Sequence, residues 1–323
     1  MSLHVVLGKG PVGSTLTAHL LSHGHQVRVL SRSGGTDGDG VEHVALDAGD
    51  TAAVTAASRG AAALYNCANP AYHRWATDWP PMAASLLAAA ERSGAVLVTM
   101  GNLYGYGEVD GPISEHTPLR PHGTKGRVRA RMWTEALARH EAGAVRVTEA
   151  RASDFVGPGV DEGGHLGGRV VPRVLAGKDV RVVTAVDQPH SWTAMGDVAR
   201  TLAVLGADER AWGRAWHVPT APPVTVQQAV DGLARAAEVA PVRARAVPHA
   251  VLRLMGLVVP FARELEEMRF SFTAPYVLDS SATTAAFGLQ ATPLEQTWAD
   301  TVAWWQSRAL VEGSVQGARE GAV

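Results

Sequence analysis

From its first residues the chain alternates short apolar runs with longer stretches in which apolar positions recur every third or fourth residue. His4-Val5-Val6-Leu7 reads as a buried strand. Val12, Leu16 and Leu20 behind it share one face of a helix that Gly24 ends as a left-handed cap. Further strands are expected at Gln26–Leu30, Val41–Leu46, Ala62–Asn66, Ala95–Met100 and Val145–Ala150, and helices at Trp79–Ser93 and Lys125–Ala142 among others. Such alternation predicts crossover connections and a parallel sheet. The expected fold class is α/β: a Rossmann-type doubly wound parallel sheet with a smaller C-terminal substrate lobe.

On this reading residues 1–150 form the sheet domain. After Arg151 the pattern loosens into glycine- and proline-rich stretches, Val156-Gly157-Pro158-Gly159-Val160 and Glu162-Gly163-Gly164-His165. A lobe departing from the sheet would begin there. Trp212–Pro219 reads as a strand returning to the sheet, Thr225–Val239 as a helix, and Pro248–Arg269 as one or two helices with a break near Pro260. Residues 151–315 are thus expected to interweave lobe and sheet, and 316–323 to form a frayed tail.

Composition narrows the partners. With 29 Lys plus Arg against 31 Asp plus Glu, nothing draws the protein to nucleic acid or to an anionic membrane, which leaves small molecules. No uncharged apolar stretch of membrane-spanning length and no signal-like leader appears, so a cytoplasmic protein is expected, with a homodimer left open. The single cysteine, Cys67, excludes an intramolecular disulfide and reads as a buried small hydrophobe rather than a catalytic thiol. Thirteen histidines show no His-Glu-x-x-His spacing, so no metal site is expected.

The sharpest motif is Gly8-Lys9-Gly10-Pro11-Val12-Gly13, placed between the first strand and the first helix. In that context Gly8 permits the turn, Gly10 lets a pyrophosphate approach the backbone, and Gly13 lets the helix pack on the strand. Pro11 suits a first helical turn, where its missing N–H is no loss. A glycine turn without a ligand is the competing reading. At the end of the second strand, where NAD-binding chains usually carry an acidic residue, this chain has Leu30-Ser31-Arg32-Ser33. Arg32 and the neighbouring hydroxyls would favour a 2′-phosphate, hence NADP(H) over NAD, unless Arg32 only stacks on the adenine. Asp47 could accept from the adenine amino group, Asp50 reads as a helix cap, and Ala68 after the fourth strand would let the backbone pass close to the cofactor.

These residues resemble the extended short-chain dehydrogenase/reductase superfamily, its epimerase/dehydratase branch and in particular its atypical members. The resemblance also rests on Leu103-Tyr104-Gly105, on Arg151-Ala152-Ser153-Asp154-Phe155-Val156-Gly157-Pro158, on Gly196-Asp197-Val198-Ala199, and on Asp279-Ser280-Ser281 with Phe287-Gly288-Leu289. It implies a proton-transferring Tyr with a Lys four residues later, and a Ser or Thr at the end of the fifth strand. No tyrosine here has a lysine four positions on, and the Ser/Thr position falls on Met100. In the best alignment Lys125 takes the Tyr position and Arg129 the Lys position; a shifted one puts His122 at the Tyr position.

Candidate chemistry therefore falls on other residues. Lys125 could grip the nicotinamide ribose or become an acid if burial depressed its pKa, against a surface cation on a basic helix. Arg129, one turn on, shares its face and could only bind. Tyr104 could donate a proton and Asn102 could orient a carbonyl, against packing and turn roles. Asp154 would disfavour a nearby phosphate, while His165 and His190 are candidate substrate contacts. Tyr72, Trp75 and Trp79 could wall an apolar pocket or form a core face. Three functions remain: an NADP(H)-dependent oxidoreductase or epimerase/dehydratase with a nonstandard proton donor, a noncatalytic dinucleotide sensor, and an enzyme whose cofactor is structural.

Overall fold

The apolar runs of the first half lie side by side as parallel strands, each joined to the next by a segment that crosses one face of the sheet. The computed structural model describes residues 1–161, 163–248, 251 and 267–320. The strands are β1 (Leu3–Leu7), β2 (Gln26–Ser31), β3 (Val41–Ala45), β4 (Ala61–Asn66), β5 (Val96–Asn102) and β6 (Val147–Ala152). Between them run α1 (Pro11–Ser22), α2 (Thr51–Ala57), α3 (Trp75–Ser93) and α4 (Gly123–Glu141). Then follow β7 (Asp154–Val156), α5 (Val171–Leu175), β8 (Val180–Val182), β9 (Trp192–Ala194), α6 (Met195–Ala207), β10 (Ala215–His217), α7 (Val226–Ala236) and β11 (Ala244–Ala246).

The main sheet has seven strands in the order β10-β6-β5-β4-β1-β2-β3, every pair parallel. Strand order reverses at β1, so the C-terminal ends of β1 and β4 flank the crevice where such sheets hold ligands. The pleat of β1 sends Val6 to one face, under Leu16 and Leu20 of α1 and Leu202 and Leu205 of α6, and Val5 and Leu7 to the other, under Leu86 and Leu87 of α3 and Trp133 of α4. A separate apolar cluster joins α5, β8, β9 and α7 to the last helix, Leu294–Glu320, through Val174, Val180, Trp192, Leu233, Trp298 and Val302.

Two expectations need correction or narrowing. The helix expected from Trp79 starts at Trp75 and carries Pro80 and Pro81 inside it. Two proline nitrogens cannot donate, yet Trp75 and Trp79 are 1% and 0% exposed, and Trp75 Nε1 donates to the Pro70 carbonyl at 2.9 Å. Burial thus holds a turn that the local sequence disfavours. The returning strand shrinks to Ala215–His217 beside β6. The last helix runs from Leu294 to Glu320. The helical segment expected around Pro260 lies mostly outside the described residues.

Candidate active site

β1 runs into the glycine loop, where Gly8 (φ 106°) donates its N–H to the Leu30 carbonyl at 2.8 Å. A Cβ at Gly8 would meet the backbone of Cys67 at 2.9 Å and that of Ala68 at 3.0 Å, and one at Gly13 would collide with the Gly8 carbonyl oxygen. At Gly10 a Cβ would meet nothing within 4 Å. Gly10 caps α1 without any side-chain hydrogen bond, and Pro11 opens the helix with Val12 packed behind it. The amides of the first turn therefore face open space, a cradle of the shape and polarity that a pyrophosphate needs.

At the end of β2, Ser31 Oγ donates to the Gly34 carbonyl at 3.2 Å, and Lys9 Nζ reaches the same oxygen at 2.8 Å. Arg32 is exposed beside them. Its charge assists the Arg74 hydrogen bond that holds the Asp78 carboxyl below its ordinary range. Sequence reading passed over Lys9, although its place between Gly8 and Gly10 marks it as a loop residue aimed at this corner. Asp47 is exposed after β3 and accepts from the Gly49 amide at 2.8 Å. Asp50 is the α2 cap, accepting from Ala52 and Ala53 at 3.0 Å. Cys67 is buried beneath the loop, and burial pushes its thiol up.

On α4 the two basic candidates point inward. Lys125 is 1% exposed; its Nζ lies 3.2 Å from Glu267 Oε2 and 5.7 Å from the centre of the Tyr72 ring, and its amide donates to Glu267 Oε1 at 2.5 Å. The surface-cation reading is thereby excluded. His122, the alternative at that position, is exposed at the helix N-terminus. Arg129 lies between two indoles, its guanidinium carbon 4.7 Å from Trp75 and 4.5 Å from Trp79, and it donates to the Met100 carbonyl at 3.2 Å. Trp75 and Trp79 are accordingly core residues stacked on Arg129, not walls of an open pocket. Tyr72 alone of the three faces the site.

Tyr104 forms the turn that follows β5, and its hydroxyl lies 3.1 Å from that of Tyr72. Burial, then the Tyr72 and Asp154 charges, push the Tyr104 phenol well above its ordinary range, so it stays protonated. Asn102 Oδ1 accepts from the Tyr104 amide at 3.1 Å, the turn role, which leaves its amide nitrogen as the remaining donor. A Cβ at Gly126 would meet the Tyr104 carbonyl oxygen at 2.7 Å, so α4 is seated directly on this turn.

Opposite Tyr104 stands Asp154 at the start of β7. One carboxylate oxygen is 2.7 Å from His190 Nε2 and the other 3.6 Å from His165 Nε2. Tyr72, Tyr104, Lys125, Asp154 and the two histidines thus converge from six separate segments. Spacing in sequence gives no sign of that meeting. Among the described residues, no group of three or more His, Cys, Asp or Glu side chains is arranged to hold a metal ion, and no helix is long and apolar enough to cross a membrane.

The model of the NAD dependent epimerase/dehydratase family matches residues 5–217. A search of curated proteins found no match. Among solved structures, the chain resembles dTDP-glucose 4,6-dehydratase from Bacillus anthracis in complex with NAD, with a TM-score of 0.77 at 16% identity, over 95% of this chain and 97% of that one. It also resembles UDP-glucose 4-epimerase from Thermotoga maritima with UDP-glucose, with a TM-score of 0.77 at 16% identity, over 95% and 99%. A third, the enzyme WbmH from Bordetella bronchiseptica in complex with NAD+, has a TM-score of 0.72 at 19% identity, over 95% and 98%.

Proposed function

The chain belongs to the NAD dependent epimerase/dehydratase family, and from that premise we propose an NADP(H)-dependent oxidoreductase or epimerase/dehydratase-type enzyme that acts on a small organic substrate without the family's usual tyrosine. The observation that carries the reading is the Gly10 cradle, open in front of the uncapped amides of α1 and flanked at the end of β2 by Lys9 and Arg32. Two cations and the Ser31 hydroxyl suit a 2′-phosphate, so NADP(H) binds in preference to NAD.

In this reading Gly8, Gly10, Pro11, Val12 and Gly13 hold the pyrophosphate, and Ser31, Arg32 and Lys9 the adenosine ribose. Asp47 accepts from the adenine, and Ala68 leaves the backbone room. Lys125 fixes the nicotinamide ribose as a buried charge, with Arg129 bracing the helix behind it between Trp75 and Trp79. When bound, the dinucleotide supplies the hydride chemistry. The chain then has to orient a substrate oxygen and move one proton. Tyr104, held protonated, and the Asn102 amide nitrogen stand ready to donate hydrogen bonds to that oxygen. Asp154 disfavours a phosphate in the lobe, which separates this substrate from the nucleotide sugar bound by the Thermotoga maritima epimerase. A single cysteine and the absence of a membrane-crossing helix among the described residues suit a cytoplasmic enzyme.

A crystal structure of the protein grown with NADPH tests this. Pyrophosphate on the Gly10 cradle and nicotinamide ribose within hydrogen-bond reach of Lys125 are expected. Density for the dinucleotide anywhere else overturns the reading.

A further inference from the structure

The unusual feature of the lobe is one carboxylate shared by two imidazoles. His190 is 4% exposed, its ring set between Trp192 at 4.4 Å and Tyr276 at 5.5 Å, so it is fixed and clamps one oxygen of Asp154. His165 stands at the other oxygen on a glycine-rich loop, its side chain 18% exposed and its ring 4.7 Å from Phe272. A second, independent observation marks the same spot. The Tyr276 hydroxyl is buried and has no hydrogen-bond partner among the described residues, although the ring is 4% exposed and the hydroxyl feels the Asp154 and Tyr72 charges. An unsatisfied buried hydroxyl costs about 1–3 kcal/mol and points to a missing polar partner.

We propose that His165, oriented by Asp154 and the His190 clamp, takes the hydroxyl proton of an uncharged alcohol whose oxygen bonds the Tyr276 hydroxyl, and returns it to that oxygen when the corresponding ketone is reduced. The proposal rests on the dinucleotide reading above. It assigns one step: the substrate O–H bond breaks, its electron pair stays on oxygen, and an N–H bond forms on His165, with the resulting imidazolium stabilised by Asp154. The groups facing His165 are Asp154, His190, Arg169 and the Phe272 ring. Burial outweighs the Asp154 charge and, with His190 and Arg169, holds His165 below the ordinary histidine range, so the imidazole is the base at neutral pH. Burial alone would raise the Asp154 carboxyl, but His165 and the His190 hydrogen bond keep it ionised. Asp154 and His190 are positioning residues; His165 and the Tyr276 hydroxyl meet the substrate oxygen.

Site-resolved carbethoxylation of the whole chain by diethylpyrocarbonate, read by mass spectrometry between about pH 5 and 8, tests this with NADP+ as the probe. His165 should react with a midpoint below the ordinary histidine range, and D154N should move that midpoint lower still, because the anion that raises it is gone. NADP+ at ten times its Kd should slow His165 about tenfold and leave His73 unchanged. A His165 that never reacts, a midpoint indifferent to D154N, or NADP+ that binds without protecting it each overturns the proposal. If D154N does not fold, protection in the unaltered chain decides. Failure of both NADP+ and NAD+ to bind in a parallel titration would instead sink the dinucleotide reading, and this proposal with it.

Discussion

Lys125 and Glu267, 142 residues apart in the chain, meet as an ion pair of 3.2 Å in which the lysine is 1% exposed. The pair ties the first turn of α4 to the C-terminal part of the chain, so one contact couples the proposed cofactor site to the segment proposed to hold substrate. Breaking it by Lys125→Met keeps the aliphatic stem but leaves a partly buried carboxylate without this cation. A loss of about 1–3 kcal/mol is expected in urea unfolding, together with weaker NADPH binding. An unchanged unfolding midpoint would show that the pair has no structural part.

Cofactor choice is tested at the end of β2. Arg32→Ala should weaken NADPH about 10- to 100-fold while leaving NADH within a factor of about 3, because only the former carries the 2′-phosphate. Lys9→Met should act in the same direction, since its Nζ already sits at the Gly34 carbonyl in that corner. Equal losses for the two cofactors, measured by fluorescence titration, would mean that Arg32 reads the adenine.

How much of this was legible in the sequence follows from which contacts are local. The strands and the glycine loop were readable because a buried run, a turn and a helix start lie within a dozen residues. The start of α3 was not, because Pro80 and Pro81 argue locally against a helix that the burial of Trp75 and Trp79 sustains. Lys125 was readable as a candidate, but its inward direction depends on Glu267. The Asp154 cluster was invisible as a cluster: β7 pairs with β9, and that pairing, with no counterpart in local spacing, brings His190 to Asp154.

One part of the pH dependence of stability should come from the far end of the sheet. His4 bonds the Tyr65 hydroxyl at 3.1 Å and Ser2 Oγ at 2.9 Å, and burial, then the neighbouring His25, lower its pKa from 6.5 to about 4. Between those values the unfolded chain binds the proton and the folded chain does not. Stability is therefore fully present above pH 6.5 and falls as the pH drops towards 4, by at most about 3 kcal/mol. Urea unfolding as a function of pH checks this, and His4→Gln should flatten the slope. An equally steep slope in that variant would show that His4 contributes nothing to it.

Whether the glycine loop binds a dinucleotide is decided by titrating NADPH into the unaltered chain and into Gly10→Val. A valine side chain there would meet no protein atom close to its Cβ, so the fold should keep its thermal midpoint, while the branched side chain fills the space of the pyrophosphate. Saturable binding to the unaltered chain and none to the folded variant is expected; equal affinity for both would mean that the loop is not the dinucleotide site.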